Sequence, residues 1–164
     1  MTAPDHMDAV YSRLFPKLVG AVSLYCGDRW VAEEIAQEAL SRLWEQSSTR
    51  EIGSPDAWSY RVAFNLANSW FRRRAIERRV RAERETVIEG VDDASVDDVV
   101  VRAAIDRLPP RQREAIVLRY FADLSVEETA TVMRCAAGTV KAHTHKALAA
   151  LARSGLRDEG ADDG

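Results

Sequence analysis

The chain has 164 residues, of which 46% are hydrophobic and 30% are charged, and its net charge is −3. This balance indicates a soluble globular protein with one medium domain or two small ones. No apolar run approaches the ~18 residues of a membrane span, and the N-terminus lacks a signal-peptide core, so we expect neither membrane insertion nor secretion. The two cysteines, Cys26 and Cys135, have no metal-ligand spacing and are expected to be reduced in a cytoplasmic protein.

The N-terminal part of the sequence predicts a helical segment at residues 5–26 and a second helix after it. Apolar residues recur at helical spacing over residues 5–26, but Pro16 predicts a kink or a break there. Gly27 is a predicted C-cap and Asp28 a predicted N-cap. The next helix, residues 29–46, has an apolar inner stripe of Val31, Ile35, Ala39, Leu40 and Leu43.

A different face of this second helix is acidic and polar. It carries Glu34, Gln37, Glu38, Ser41 and Glu45. Such a face is suited to a basic partner, although a solvated acidic face is the simpler interpretation of the pattern alone.

A third helix, predicted for residues 56–84 after the turn-rich segment 47–56, begins with aromatic residues and ends with arginines. We expect Trp70 or Trp58 to form core with Val62 and Leu66. The remaining rings would then be exposed beside the arginines. That combination suits single-stranded nucleic acid, because rings stack on bases and cations hold the backbone.

Charge is strongly segregated in the middle of the chain. Between Arg61 and Arg84 there are eight arginines and two acids, whereas from Glu85 to Val101 there are six acids and no base. The pattern predicts a basic functional surface beside a flexible acidic linker.

Helical periodicity returns after the linker in two further helices. The first includes Val99, Val100 and Leu108 and stops at Pro109. The second, residues 111–121, is expected to bury four side chains. These are Ala115, Ile116, Leu118 and Tyr120.

Residues 124–151 predict two helices joined by a tight turn. Ser125 and Glu128 have capping-box spacing, and Val126, Ala130 and Met133 form one apolar side of the short first helix. The second helix has Val140, Ala147, Leu148 and Leu151 on its apolar face, and Thr139, Lys141, His143, His145 and Lys146 on its polar face. This plan is that of a DNA-binding helix-turn-helix, with an ordinary helical hairpin as the alternative.

The two halves together resemble the sigma-70 family of bacterial RNA polymerase initiation factors, specifically its small extracytoplasmic-function type, over residues 8–153. The segment VAEEIAQEALSRLW, residues 31–44, is similar to the family segment that docks on the clamp helices of the largest polymerase subunit. The resemblance implies that the core-polymerase contacts are Glu34, Gln37, Glu38 and Ser41.

The segment SPDAWSYRVAFNLANSWFRRR, residues 54–74, resembles the helix that opens and reads the minus-10 promoter element. The resemblance implies that the preceding loop receives a flipped base. It assigns minus-10 contacts to Trp58, Arg61, Asn65, Arg72, Arg73 and Arg74.

Residues 107–130 and 138–148 resemble the minus-35 recognition domain. The resemblance puts Lys141, Ala142, His145 and Lys146 at base-facing positions, with Thr139 and His143 nearer the backbone. The chain departs from the family pattern in its turn, residues 134–137, where glycine is usual, in its histidines where arginines are usual, and at Phe64, where a polar residue is common.

The resemblance implies an all-α fold of two small helical domains, residues 5–84 and 97–154, with an acidic linker at 85–96 and an acidic tail at 155–164. It implies core RNA polymerase, contacted at its clamp helices and flap, and promoter DNA as partners, with an anti-sigma factor as a further one. We expect no enzymatic activity, cofactor or metal. The competing hypothesis is a dimeric helix-turn-helix regulator of duplex DNA, which leaves the second and third helices unexplained.

Overall fold

The computed structural model describes residues 3–80 and 96–155. Over these residues the only regular structure is helical, and the chain divides into two compact units, residues 1–91 and 92–164. The predicted all-α fold class is confirmed. Most of the predicted acidic linker and almost all of the predicted tail lie outside the described residues. Within the described part, no helix is both long enough and apolar enough to span a membrane.

The first unit consists of three helices, α1 (Ala3–Cys26), α2 (Arg29–Ser47) and α3 (Pro55–Val80). Of the two outcomes expected at Pro16, a kink or a break, the break was wrong, because α1 runs through the proline as one helix. Leu14 and Leu18, on either side of Pro16, are both completely buried. Their packing holds the helix together across the position where the proline lacks an N–H.

The predicted caps at the α1–α2 junction are confirmed. Gly27 has a φ of 73°, and its N–H donates to the Ser23 carbonyl at 2.8 Å. Asp28 accepts from the Val31 N–H at 3.2 Å. These hydrogen bonds satisfy helix-end groups that would otherwise lack partners, which explains why the local sequence was sufficient to predict them.

The core of the first unit lies between the inner faces of its three helices. From α3 it contains Tyr60, Ala63, Phe64 and Ala67, all at most 2% exposed. Tyr25 of α1 stacks on Phe64 with ring centroids 5.0 Å apart. Its hydroxyl donates to Asn68 Oδ1 at 2.5 Å.

The prediction of core residues on α3 was wrong. Trp58, Val62, Leu66 and Trp70 are only partly buried. The buried arc of α3 is centred near Ala63 and Ala67, and at about 100° per residue Trp58 and Val62 lie on the other side of the helix. The partner Tyr25, which selects Phe64 for the core, is distant in sequence and cannot be found from α3 alone.

The second unit consists of α4 (Val96–Asp106), α5 (Pro110–Ile116), a π turn (Val117–Phe121), α6 (Val126–Met133) and α7 (Ala137–Arg153). The capping box is confirmed, since Ser125 Oγ accepts from the Glu128 N–H at 3.0 Å and Glu128 Oε2 accepts from the Ser125 N–H at 2.8 Å. The core of this unit includes Ile105, Leu118 and Val140.

Several apolar side chains of the second unit are more exposed than predicted. They are Val99, Val100, Tyr120 and Leu148. Tyr120 lies in the π turn, in which the Ala122 N–H bonds the Val117 carbonyl at 3.0 Å. Tyr120 is 57% exposed, whereas Val117 and Leu118 of the same turn are completely buried.

Arg111 connects the first turn of α5 to the end of α6. Its guanidinium donates to Glu114 Oε2 at 2.8 Å and to the Met133 carbonyl at 2.7 Å. The Glu114 side chain is only 1% exposed, so Arg111 compensates a buried carboxylate. The Met133 carbonyl is one of the α6 carbonyls that have no partner within the helix.

We expect Arg111→Ala to destabilise the second unit by about 1.5–3 kcal/mol. The buried Glu114 carboxylate and the Met133 carbonyl at the end of α6 would each lose a hydrogen bond. Urea unfolding followed by far-UV circular dichroism would measure the change. The four tryptophans all lie in the first unit, so their fluorescence transition should not move. Arg107→Ala, at an exposed neighbouring arginine, serves as control. An unshifted circular dichroism transition in Arg111→Ala would contradict this role.

Candidate functional site

The predicted acidic face of α2 is a continuous exposed surface. Glu34, Gln37, Glu38 and Ser41 are all exposed. At about 100° per residue they lie within roughly 100° of one another around the helix. The opposite side is buried through Ala32, Ala36, Ala39 and Leu43. Packing of the inner side therefore fixes the direction of the outer side.

Glu38 also contacts its own helix, because Arg42 Nε donates to Glu38 Oε1 at 2.8 Å. Both side chains are about half exposed, and an exposed pair of this kind contributes little to stability. Glu38 can therefore exchange Arg42 for a basic group of a partner at small cost.

Four of the six predicted minus-10 residues lie along one stripe of α3. Trp58, Arg61, Asn65 and Arg72 lie within about 60° of one another, on the side opposite the core. The first three are partly buried and Arg72 is exposed. Arg72 also donates to Ser69 Oγ, at 2.9 Å, on the same side of the helix. The stripe combines a ring, an amide and two guanidinium groups over about four turns.

The other two arginines lie off this stripe. Arg73 is exposed to one side, while Arg74 lies about 160° from Trp58 around the helix. The Arg74 guanidinium is 5.0 Å from the centroid of the Trp70 ring, a cation–π contact. Trp70 in turn packs against Phe71 in a T-shaped arrangement, with the ring centroids 4.9 Å apart. Arg74 therefore covers an aromatic ring and is not grouped with the other predicted contacts.

The start of α3 is fixed to α1 by a two-bond ion pair. Arg13 donates to Asp56 at 2.7 and 2.8 Å. These hydrogen bonds lower the pKa of Asp56, although partial burial opposes them. Ser54 Oγ accepts from the Ala57 N–H at 3.3 Å and caps the same end. Trp58, in the first turn of α3, is therefore part of a helix end that is held against α1.

Two polar atoms in this region have no hydrogen-bond partner within the described structure. They are Trp58 Nε1 and Ser59 Oγ, both shielded from solvent. Burial also raises the pKa of the neighbouring Tyr60 to about 12, with the negative charge of Asp56 as a second cause. Tyr60 is therefore a neutral phenol near neutral pH.

In the second unit, five of the six predicted minus-35 residues are exposed on α7. They are Thr139, Lys141, Ala142, His145 and Lys146. The helix follows α6 through a short turn in which Arg134 adopts the left-handed conformation, with a φ of 54°. Its N-cap, Ala136, makes no side-chain cap hydrogen bond. The first N–H groups of α7 thus have no side-chain acceptor there, a state that suits a phosphate.

His143 is the exception on α7. It is partly buried, and its Nδ1 atom is enclosed without a hydrogen-bond partner in the described part of the chain. Burial lowers the pKa of His143, and the positive charges of Arg111 and Lys146 lower it further. The side chain is therefore neutral at pH 7 and is not grouped with the five exposed residues.

Sequence reasoning missed the roles of Arg13, Asp56 and Arg111. Arg13 and Asp56 are 43 positions apart, and no local pattern connects them. Arg111 and Glu114 have helical i, i+3 spacing, a signal that was available. Among the described residues, no cluster of three or more potential metal ligands occurs.

Two models of known protein families match this chain. Residues 10–76 match the model of sigma-70 region 2, and residues 98–151 match the model of sigma-70 region 4. The RNA polymerase sigma-E factor of Streptomyces avermitilis is 36% identical over 132 residues, which cover 73% of this chain and 68% of that protein. The chain belongs to the sigma-70 family. It is a sigma factor that directs transcription initiation.

Further relatives place this sigma factor in the extracytoplasmic-function group. The ECF RNA polymerase sigma factor SigW of Bacillus subtilis is 32% identical, over 77% of this chain and 76% of that protein. Among solved structures, the sigma factor RpoE of Bartonella quintana, crystallised with the anti-sigma factor NepR, matches with a TM-score of 0.77. That match has 25% identity and covers 92% of this chain and 97% of the other.

The shifted pKa of His143 predicts how the stability of the second unit depends on pH. The unfolded chain binds a proton on this histidine at about pH 6.5, whereas the folded unit binds it only at lower pH. This contribution to stability is therefore fully present above pH ~6.5 and decreases as the pH falls below that value. His143→Gln should reduce the acid sensitivity.

Thermal unfolding followed by circular dichroism, at several pH values between about 7.5 and 5, would measure this dependence. His145→Gln is the matched control, because His145 is exposed on the same helix. If the wild type and His143→Gln lost stability equally on acidification, this explanation would be incorrect.

Proposed function

We propose that this sigma factor docks on core RNA polymerase through Glu34, Gln37, Glu38 and Ser41. The observation that supports this assignment best is the exposed polar face of α2 opposite a completely buried one. Carboxylates on a rigid helix favour a partner surface with basic groups, both by steering and by direct pairing. The proposed partner is the clamp helices of the largest subunit, with the flap contacted by the second unit.

The second proposed contact is that of α3 with the single-stranded minus-10 element. The stripe of Trp58, Arg61, Asn65 and Arg72 provides a ring for stacking, an amide for base edges and cations for phosphates. Extraction of a base from the duplex costs a few kcal/mol, which such contacts must offset. Arg73 contributes charge beside the stripe. Arg74 is proposed to support Trp70 and to add only long-range attraction.

The third proposed contact is that of α7 with the major groove of the minus-35 element. Lys141, Ala142, His145 and Lys146 reach bases, and Thr139 and the α7 N-terminus reach phosphates. His143 is proposed to fill the inner border of the helix next to Arg111, because it is partly buried and neutral. The basic donors on this helix are thus two lysines, supplemented by His145.

The domain limits proposed for these tasks are residues 5–84 and 97–154, separated by the acidic linker 85–96 and followed by the tail 155–164. We also propose that the protein acts in the cytoplasm, is not an enzyme and requires no cofactor. An anti-sigma factor is a further proposed partner, by analogy with the complex of the Bartonella quintana relative.

Reversal of charge on the α2 face should abolish polymerase binding. We expect Glu34→Lys/Glu38→Lys to lose capture of core RNA polymerase from Streptomyces, the genus of the matching sigma-E factor, while the wild type retains it. Because both side chains are exposed, unfolding should be unaffected. Glu77→Lys, on the exposed end of α3, is the matched control. Wild-type binding that survives the double reversal would exclude this face as the docking site.

Substitution of Lys141 should change promoter choice. With a randomised minus-35 library transcribed in vitro by the reconstituted holoenzyme, Lys141→Ala should relax base preference at one position, with a loss of about 1–3 kcal/mol of discrimination. Arg153→Ala, at the far end of α7, should keep the wild-type pattern. An unchanged preference with uniformly weaker transcription would instead identify Lys141 as a phosphate contact.

A further inference from the structure

Two exposed tryptophans flank the proposed docking residues on α2. Trp30 is 80% exposed and Trp44 is 50% exposed. Single exposed apolar residues are common on protein surfaces. These two, however, lie on the same side of the helix as Glu34, Gln37 and Ser41, within about 80° of arc, so the five side chains form one stripe.

The spacing along this stripe is that of a helix-packing seam. Positions 30, 34, 37, 41 and 44 follow one another at intervals of four, three, four and three residues. This is the interval at which one helix presents side chains to a second helix lying along it. The stripe extends for 14 residues, or about 21 Å, which is about four turns.

A concave site adjoins the C-terminal end of the seam. A pocket of about 280 Å³ lies between α1 and α2, and its lining includes Val10, Tyr11, Gln37, Ser41 and Trp44. Its walls combine aromatic and aliphatic side chains with a few polar groups. Such a pocket is suited to an apolar side chain projecting from a partner helix.

The charges beside the seam define the partner further. Glu33, Glu34, Glu38 and Glu45 lie on or beside the stripe, whereas its own tryptophan, glutamine and serine side chains are uncharged. Glu33 and Glu38 each contact a basic residue of α2, in exposed pairs that are easily exchanged. A complementary helix would therefore present basic and polar groups opposite Glu34, Gln37 and Ser41, and apolar side chains opposite the two tryptophans.

We infer that Trp30 is a further polymerase-binding residue, which anchors one end of a seam on α2 that packs along a basic, amphipathic helix of core RNA polymerase. The inference rests on the proposed docking function and extends it by one helical turn towards the N-terminus of α2. Trp44 and the adjacent pocket form the other end. Trp30 contributes contact area because nothing in the described first unit covers its ring, whereas a partner helix would bury it.

The test measures binding of the full chain to Streptomyces core RNA polymerase by biolayer interferometry. Trp30→Ala should weaken binding about 30-fold, the loss typical of an aromatic anchor, and Trp30→Phe should retain most of the affinity. Val80→Ala is the matched control, because Val80 is 82% exposed and lies off the seam. Thermal unfolding of Trp30→Ala should match that of the wild type.

The outcomes separate this inference from the proposed function. If Trp30→Ala bound as tightly as the wild type while Glu34→Lys/Glu38→Lys did not bind, the role of Trp30 would be overturned and the docking face would stand. If the wild type itself failed to bind polymerase, both would fall. Sedimentation of a wild-type dimer that Trp30→Ala converts to a monomer, without change in polymerase affinity, would assign the seam to a second copy of this chain.

Discussion

The first unit depends on small side chains along the inner side of α2. Ala32, Ala36 and Ala39 are completely buried between α1 and α3. The distance between packed helices depends on the side chains at their contact, so alanines permit a close approach. A larger residue there would push the helices apart and also rotate or shift the outer face of α2. The proposed docking of polymerase would therefore be linked to core packing, although the residues concerned point in opposite directions.

Helices and their ends were predictable because their signals are local. The capping box of Ser125 and Glu128 and the glycine–aspartate pair between α1 and α2 each form hydrogen bonds with residues a few positions away. Core membership on α3 was not predictable in the same way, because aromatic residues occupy nearly every side of that helix. Contacts with Tyr25, far away in sequence, decide that Phe64 is inside.

The candidate surfaces were predictable to the extent that helical spacing determines them. Glu34 on α2 and Lys141 on α7 are exposed because the buried residues of each helix lie on a different side of it. Spacing could not show that Arg74 would cover Trp70, or that His143 would be partly buried with its Nδ1 atom enclosed. The first arrangement depends on the direction in which the long Arg74 side chain turns. The second depends on residues of other helices that surround His143. They concern local surroundings and charge, which a one-dimensional pattern does not contain.

The turn before α7 shows that backbone shape and side-chain identity can be separated. Arg134 adopts a left-handed conformation that glycine would adopt with less strain, and its N–H still closes the end of α6 on the Thr131 carbonyl. The side chain is exposed, so the backbone sets the angle between α6 and α7 without help from it. Position 134 is thus a place where a substitution can change the electrostatic potential beside α7, the proposed minus-35 recognition helix, while the angle between α6 and α7 stays the same.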